Sequence, residues 1–205
     1  MQIKVQNTGK KFSREWIFRG LNLDLHTGQS YTFVGANGSG KSTALQVLAG
    51  AIPLSEGEIT YQNPTETIQE DAWYQQIVIA APYLELIEEF NLVELVAFHQ
   101  QFKPLKKGIS APDLAELLWL NNAANKPIKY FSSGMKQRLK LGLAFFSDVP
   151  IVMLDEPTSN LDATGIDWYK ATVQVQTADQ LLIICSNQQN EYDFCGNIVN
   201  LANYK

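Results

Sequence analysis

Cysteine is scarce in this 205-residue chain. Cys185 and Cys195 are too few for a disulfide framework and are not spaced as a Cys-x-x-Cys metal pair. Such sparing use suits a reducing compartment. Histidine is as rare, and His26 and His99 stand alone, so each reads as a packed or half-exposed ring and not as a ligand. No apolar run approaches the roughly 18 residues of a membrane span. The start, Met1-Gln2-Ile3-Lys4-Val5-Gln6, alternates apolar and polar like a strand and does not read as a leader. Any membrane role is therefore expected to come through another chain. Basic residues are outnumbered, 16 Lys and Arg against 21 Asp and Glu, for a net charge of −5 and a pI near 5.1. That balance argues against a nucleic-acid partner held by bulk charge. Internal repeats and low-complexity linkers are lacking too.

What is present suits a folded domain. At 45% hydrophobic and 18% charged, the chain can bury a real core, and 23.0 kDa is one domain of ordinary size or one with a small insert. Residues 2–8 and 17–25 read as strands, followed by a short β-prone run at 31–34 that ends in glycines. Residues 41–49 read as a helix stopped by Gly50, with Pro53 just beyond. Residues 57–61 and 76–80 read as strands. Between 91 and 118 the apolar positions fall at helical spacing: Leu92, Leu95, Val96, Phe102, then Leu114, Leu117 and Leu118. A further helix is expected from about Ser132, with Met135, Leu139, Leu143 and Phe146 on one face. Residues 151–154 and 181–185 are continuously apolar and read as buried strands. Strands alternating with helices predict a mainly parallel sheet.

Three motifs carry chemistry. Gly35-Ala36-Asn37-Gly38-Ser39-Gly40-Lys41-Ser42-Thr43 matches the P-loop pattern G-x-x-x-x-G-K-[ST] between a strand and a helix. Its glycines let several backbone N–H groups converge on one phosphate chain, and the helix N-terminus adds partial positive charge. Lys41 is the group to reach the β- and γ-phosphates, and the Ser42 hydroxyl is a ligand for Mg²⁺. Ile151-Val152-Met153-Leu154-Asp155-Glu156 is an apolar strand ending in two carboxylates. Asp155 is placed to hold Mg²⁺, and Glu156 to polarise a water aimed at the γ-phosphate. Phe131-Ser132-Ser133-Gly134-Met135-Lys136-Gln137-Arg138 is at the least a helix start capped by Ser132 or Ser133.

With these motifs in this order, the chain resembles the ATP-binding subunit of an ABC transporter over nearly all its length. The signature, L-S-G-G-Q or S-x-G-M-x-Q-R in that family, reads F-S-S-G-M-K-Q-R here. The Walker B strand reads IVMLDEP, and the D-loop reads Ser159-Asn160-Leu161-Asp162. The form of the signature is similar to that of export-type cassettes. The resemblance implies an α/β P-loop NTPase cassette over residues 1–205. It would have a mainly parallel core sheet, an antiparallel β-rich N-terminal part and an inserted helical subdomain near residues 83–146. It further implies ATP and Mg²⁺ as cofactors, ATP hydrolysis, a polytopic membrane subunit on a separate chain, and a place on the cytoplasmic face of the membrane. Two cassettes, here a homodimer, would pair head to tail. Ser132, Gly134 and Met135 would then meet the γ-phosphate bound to the partner, and Asp162 would cross the interface. Adenine would stack on Phe12, with Trp16 the alternative. Non-transport cassettes are the rival reading. Those with long coiled coils are excluded, since residues 42–131 leave no room for one.

Two departures stand out. The family's histidine after the strand that follows Walker B is replaced by Asn187, which can donate to a γ-phosphate but cannot become a cation. The family's glutamine, aligned on Pro82-Tyr83-Leu84, falls on Ala80, which can neither ligate Mg²⁺ nor hold a water. Glu85 or Glu88 could serve only if the loop is rebuilt, and Gln75 and Gln76 lie before the strand. Together these departures raise a further reading, an ATP-sensing switch of low turnover. Residues 83–90 are expected to face the membrane partner. The lysines at 103, 106 and 107 read as a solvated face, the four tryptophans as core, and Cys185 as a small buried hydrophobe.

Overall fold

The computed structural model describes residues 1–205. Strands β1 (Gln2–Phe12) and β2 (Glu15–His26) form a long antiparallel hairpin turning at Ser13, which takes a left-handed φ of 54°. Both strands outrun the sequence expectation. Register shifts between Val5 and Thr8 and around Lys10 break the alternation without ending the pairing. β4 (Glu56–Gln62) joins the other edge of β1, and β5 (Thr67–Ile68) completes an antiparallel sheet of order β2-β1-β4-β5.

The second sheet is parallel throughout. Its order is β6 (Ile77–Ala80), β7 (Ile151–Asp155), β8 (Leu181–Cys185), β3 (Ser30–Val34) and β9 (Asn197–Asn200). Six helices surround the sheets: α1 (Lys41–Leu48), α2 (Trp73–Gln76), α3 (Leu92–His99), α4 (Ala111–Leu117), α5 (Ser133–Phe146) and α6 (Ala163–Gln176). The expected fold class is the observed one.

The continuous apolar runs of β7 and β8 are explained by burial on both faces. Successive side chains point to opposite sides of a strand. Val152, Leu154, Leu182 and Ile184 enter one core with α3, α4, α5 and α6, whereas Ile151, Met153, Leu181 and Ile183 enter the other with the antiparallel sheet and α1. Fully burying each such side chain contributes roughly 1.5–3 kcal/mol. The expected face of α5 is also the observed one, with Leu139, Leu143 and Phe146 buried and Met135 packed against the same core.

The helical stretch 91–118 resolves into two helices, each opened by a capping box, Asn91 with Glu94 and Ser110 with Asp113. Other expectations are adjusted. Of the apolar positions at helical spacing, Phe102 and Leu117 are 57% and 42% exposed, so the periodicity does not mark a buried face throughout. Trp73 and Trp168 are buried, but Trp119 is exposed at a left-handed φ of 57°. Lys106 does not lie on a wholly solvated face, because its ammonium reaches back to the Gln176 carbonyl. Cys185 is fully buried, as expected.

Candidate active site

β3, β7 and β8 run parallel, so their C-terminal ends open on one edge of the sheet, the usual place for a ligand crevice in such folds. The loop from β3 into α1 is shaped by two glycines. A Cβ on Gly35, at φ 154°, would fall 2.5 Å from the Ser39 hydroxyl. One on Gly40, at φ 99°, would fall 2.4 Å from a methyl of Ile17 on the hairpin. Gly40 also supplies no side-chain cap, and α1 has no acid in its first turn. The helix N-terminus therefore keeps its donors and its partial charge for an anion. Lys41 is 6% exposed, and its ammonium folds back on the Gly35 and Ala36 carbonyls at 2.8 and 3.2 Å.

Asp155 ends β7 and is 2% exposed. Burial raises its carboxyl above the usual carboxylate range; the Ser42 hydroxyl and the Lys41 ammonium pull it down, while Glu156 and Glu191 push it up. Oδ1 of Asp155 has no hydrogen-bond partner. A buried bare carboxylate oxygen beside a hydroxyl is the hard, all-oxygen donor set that Mg²⁺ takes, so Ser42 and Asp155 fit that ion. Glu156 follows at a left-handed φ of 43°, its N–H donating to the Cys185 carbonyl at 2.9 Å.

A raised carboxyl means the folded chain holds its proton more tightly than the unfolded chain does. The stability this gives is present below the ordinary value of 3.8 and is lost as pH rises through the folded value. Asp155→Asn is therefore expected to raise the melting midpoint at neutral pH without nucleotide. The gain should shrink to nothing as the pH is lowered towards 3.8, as calorimetry over a pH series would show.

Beyond β8, Asn187 reaches the P-loop, its amide donating to Oδ1 of Asn37 at 2.9 Å. Ala80 does not reach the site. It ends β6, paired with Leu154, and its side chain is buried in the helical core. The side chain past the strand end that points to this edge is Tyr83, which sequence reasoning passed over. Its hydroxyl, raised chiefly by burial, lies beside Gln46 and feels the charge of Asp155. Glu85 and Glu88 are turned elsewhere, towards α5: Lys140 of that helix feels Glu85, and Lys136 pairs with Glu88.

Ser132 caps α5, its hydroxyl accepting the Met135 N–H at 3.2 Å. A Cβ on Gly134 would meet the Asn160 carbonyl at 3.0 Å, so the signature packs on the D-loop. Asp162 caps α6, accepting the Gly165 N–H at 2.8 Å, a bond that lowers its carboxyl pKa. No hydrogen bond joins Ser132, Gly134, Met135 or Asp162 to the P-loop. Phe12 is 47% exposed, on the same hairpin face as Lys10, whose ammonium reaches the Pro53 carbonyl beyond α1. Trp16 pairs with Lys11 on the opposite face and lies under Arg19. The hairpin residue that touches the P-loop is Ile17.

The family model for the ABC transporter matches residues 18–159, from the hairpin through the P-loop and signature to the D-loop. The chain belongs to this family. It is an ABC transporter ATP-binding cassette. Relatives include the lantibiotic transport ATP-binding protein SrtF of Streptococcus pyogenes, 26% identical over 90% of this chain and 79% of the relative. The linearmycin resistance ATP-binding protein LnrL of Bacillus subtilis is 28% identical over 94% of this chain and 63% of the relative. Among solved structures, a putative ABC transporter ATP-binding protein from Pyrococcus furiosus superposes with a TM-score of 0.83 at 17% identity, covering 100% of both chains. A bacterial Atm1-family ABC exporter with ATP bound gives 0.80 at 18% identity, over 97% of this chain and 37% of that one. At these identities the structures speak to the fold alone. No helix of the cassette is long and apolar enough to cross a membrane.

Proposed function

We propose that this cassette binds Mg²⁺-ATP at the edge formed by residues 35–43, Asp155, Glu156 and Asn187, and hydrolyses it to drive a separate membrane subunit, as an exporter. The observation that carries the reading is the meeting of Lys41, Ser42 and Asp155 at one buried point, with Glu156 held next to it. Lys41 leaves the loop carbonyls for the β- and γ-phosphates, and the backbone N–H groups of the loop and α1 cradle them. Ser42 and Asp155 would hold Mg²⁺, which would supply positive charge to the reacting phosphates. Glu156 takes a proton from the water whose oxygen attacks the γ-phosphorus in line as ADP leaves. Phe12, on the α1 side of the hairpin, is the stacking residue for adenine in preference to Trp16.

The proposal extends to assembly. One cassette spans residues 1–205, with the helical subdomain at 83–146. Two copies pair so that Ser132, Gly134 and Met135 face the partner's nucleotide, and Asp162 lies at the interface. The membrane partner sits over residues 83–90, next to an apolar groove of about 410 Å³ lined by Tyr74, Ile79, Leu84 and His99. The cassette would then lie on the cytoplasmic face of the membrane, without a nucleic-acid partner.

Asn187 favours a second reading, a slow ATP-gated switch. An asparagine bonded to Asn37 cannot offer a cation to the γ-phosphate, and removing one such stabilising group typically costs about 10²–10³ in rate. Rebuilding at Tyr83 would make the deficit smaller. Tight ATP binding with slow turnover is expected, and Asn187→His is expected to raise the steady-state rate of phosphate release. A brisk wild-type rate that Asn187→His leaves unchanged or lowers would show the substitution to be compensated. Ser186 and Gln188, which bond to each other at 2.8 Å, would be tested next.

A further inference from the structure

Glu156 is held in a backbone conformation it would not choose. A left-handed φ costs a non-glycine residue on the order of 1–3 kcal/mol and persists only where the surroundings over-determine it. The turn it begins is fastened from several sides. The buried amide of Gln137, on the signature helix α5, donates to the Pro157 carbonyl at 2.8 Å. The Ser159 N–H closes the turn on the Glu156 carbonyl at 3.1 Å. Thr158 gives both of its donors to one oxygen, Oε1 of Glu191: the backbone N–H at 2.8 Å, and the hydroxyl.

Glu191 is unlike the other fasteners. It is 0% exposed, and its second oxygen, Oε2, has no donor. A buried carboxylate with a bare oxygen is costly, and such exceptions gather at functional sites. It lies four residues beyond Asn187, and the Tyr169 hydroxyl of α6 donates to its backbone carbonyl at 2.8 Å. The loop that touches the P-loop and the turn that carries Glu156 therefore share one rigid joint.

We propose that Glu191 is a positioning residue for Glu156: by accepting both donors of Thr158 it fixes the strained turn that aims the Glu156 carboxylate at the attacking water. This rests on the ATPase reading above. The step itself is unchanged. Glu191 takes no proton and touches no substrate.

The test measures kcat, and ATP affinity by calorimetry, for Glu191→Ala, Glu191→Gln and Thr158→Val, alone and combined with Glu156→Gln. Misplacing a catalytic group by about 1 Å can cost about 10²-fold, so Glu191→Ala should lower kcat about ten- to a hundredfold while the Kd for ATP stays within about threefold. Glu191→Gln keeps an oxygen able to accept the same two donors and should retain kcat within about threefold. Added to Glu156→Gln, Glu191→Ala should cause no further loss, because the group it aims is gone. Damage by Glu191→Gln as severe as by Glu191→Ala, a loss that adds to that of Glu156→Gln, or a Kd that moves with kcat would overturn the proposal. If Glu191→Ala fails to fold, Thr158→Val decides: an unaltered kcat there overturns it. If Glu156→Gln alone leaves turnover intact, Glu156 is not the general base and the positioning role falls; if the wild-type chain shows no turnover at all, the ATPase reading fails instead.

Discussion

Lys41→Ala is expected to weaken Mg²⁺-ATP binding by at least about a hundredfold. The residue is nine-tenths buried, and its ammonium is already gathered over the loop by the Gly35 and Ala36 carbonyls. It is the only basic side chain in residues 35–43. Hydrogen bonds to charged groups contribute roughly 1.5–3 kcal/mol each, and every 1.4 kcal/mol is about tenfold in affinity. Removing the bonds to both the β- and the γ-phosphate at once therefore weakens binding by about a hundredfold or more. The substitution also leaves two loop carbonyls without their donor, so a melting curve must accompany the calorimetry. A folded variant that binds ATP as tightly as wild type would remove the P-loop assignment altogether.

Much of the fold was legible because its strongest signals are local. A fully apolar run such as residues 181–185 has little choice but to be a strand covered on both faces, and the P-loop glycines announce a turn whatever surrounds them. Helix α6 was not legible. Its buried positions, Gly165, Trp168, Tyr169 and Val173, are at helical spacing, but a glycine and two aromatics carry the stripe where leucines usually do. β9 buries only Val199 of its four residues, so it has no pattern to read.

The site divides in the same way. Residues given by contiguous motifs, Lys41, Ser42, Asp155 and Glu156, meet where the motifs imply. Residues whose part depends on the path of a loop escaped. Aligning the Pro-Tyr-Leu triplet put Ala80 at the site, but β6 pairs Ala80 with Leu154 and hands the sheet edge to Tyr83. Glu191 gave no local signal, since its partner Thr158 is 33 positions away in sequence.

Glu156→Gln is expected to lower ATP turnover by about 10²–10⁴, the usual contribution of a positioned general base. An amide has nearly the shape of a carboxylate and can still bond a water, but it cannot take the water's proton. The backbone should hold at φ 43°, because Gln137, Glu191 and Cys185 fasten the turn through other residues and through the Glu156 main chain, none through its side chain. ATP affinity should therefore survive, separating this variant from Lys41→Ala. With hydrolysis blocked, bound ATP persists, and the charge of its γ-phosphate with it. The capped start of α5 at Ser132 offers a hydroxyl and helix N-terminal donors, yet no bond carries them to the P-loop of the same chain. A second cassette is the partner that can bring them there. Sedimentation should accordingly show a monomer without nucleotide and a dimer once Glu156→Gln is mixed with ATP. A monomer at high protein and saturating ATP would count against the homodimer and direct the search to a different cassette as the second half.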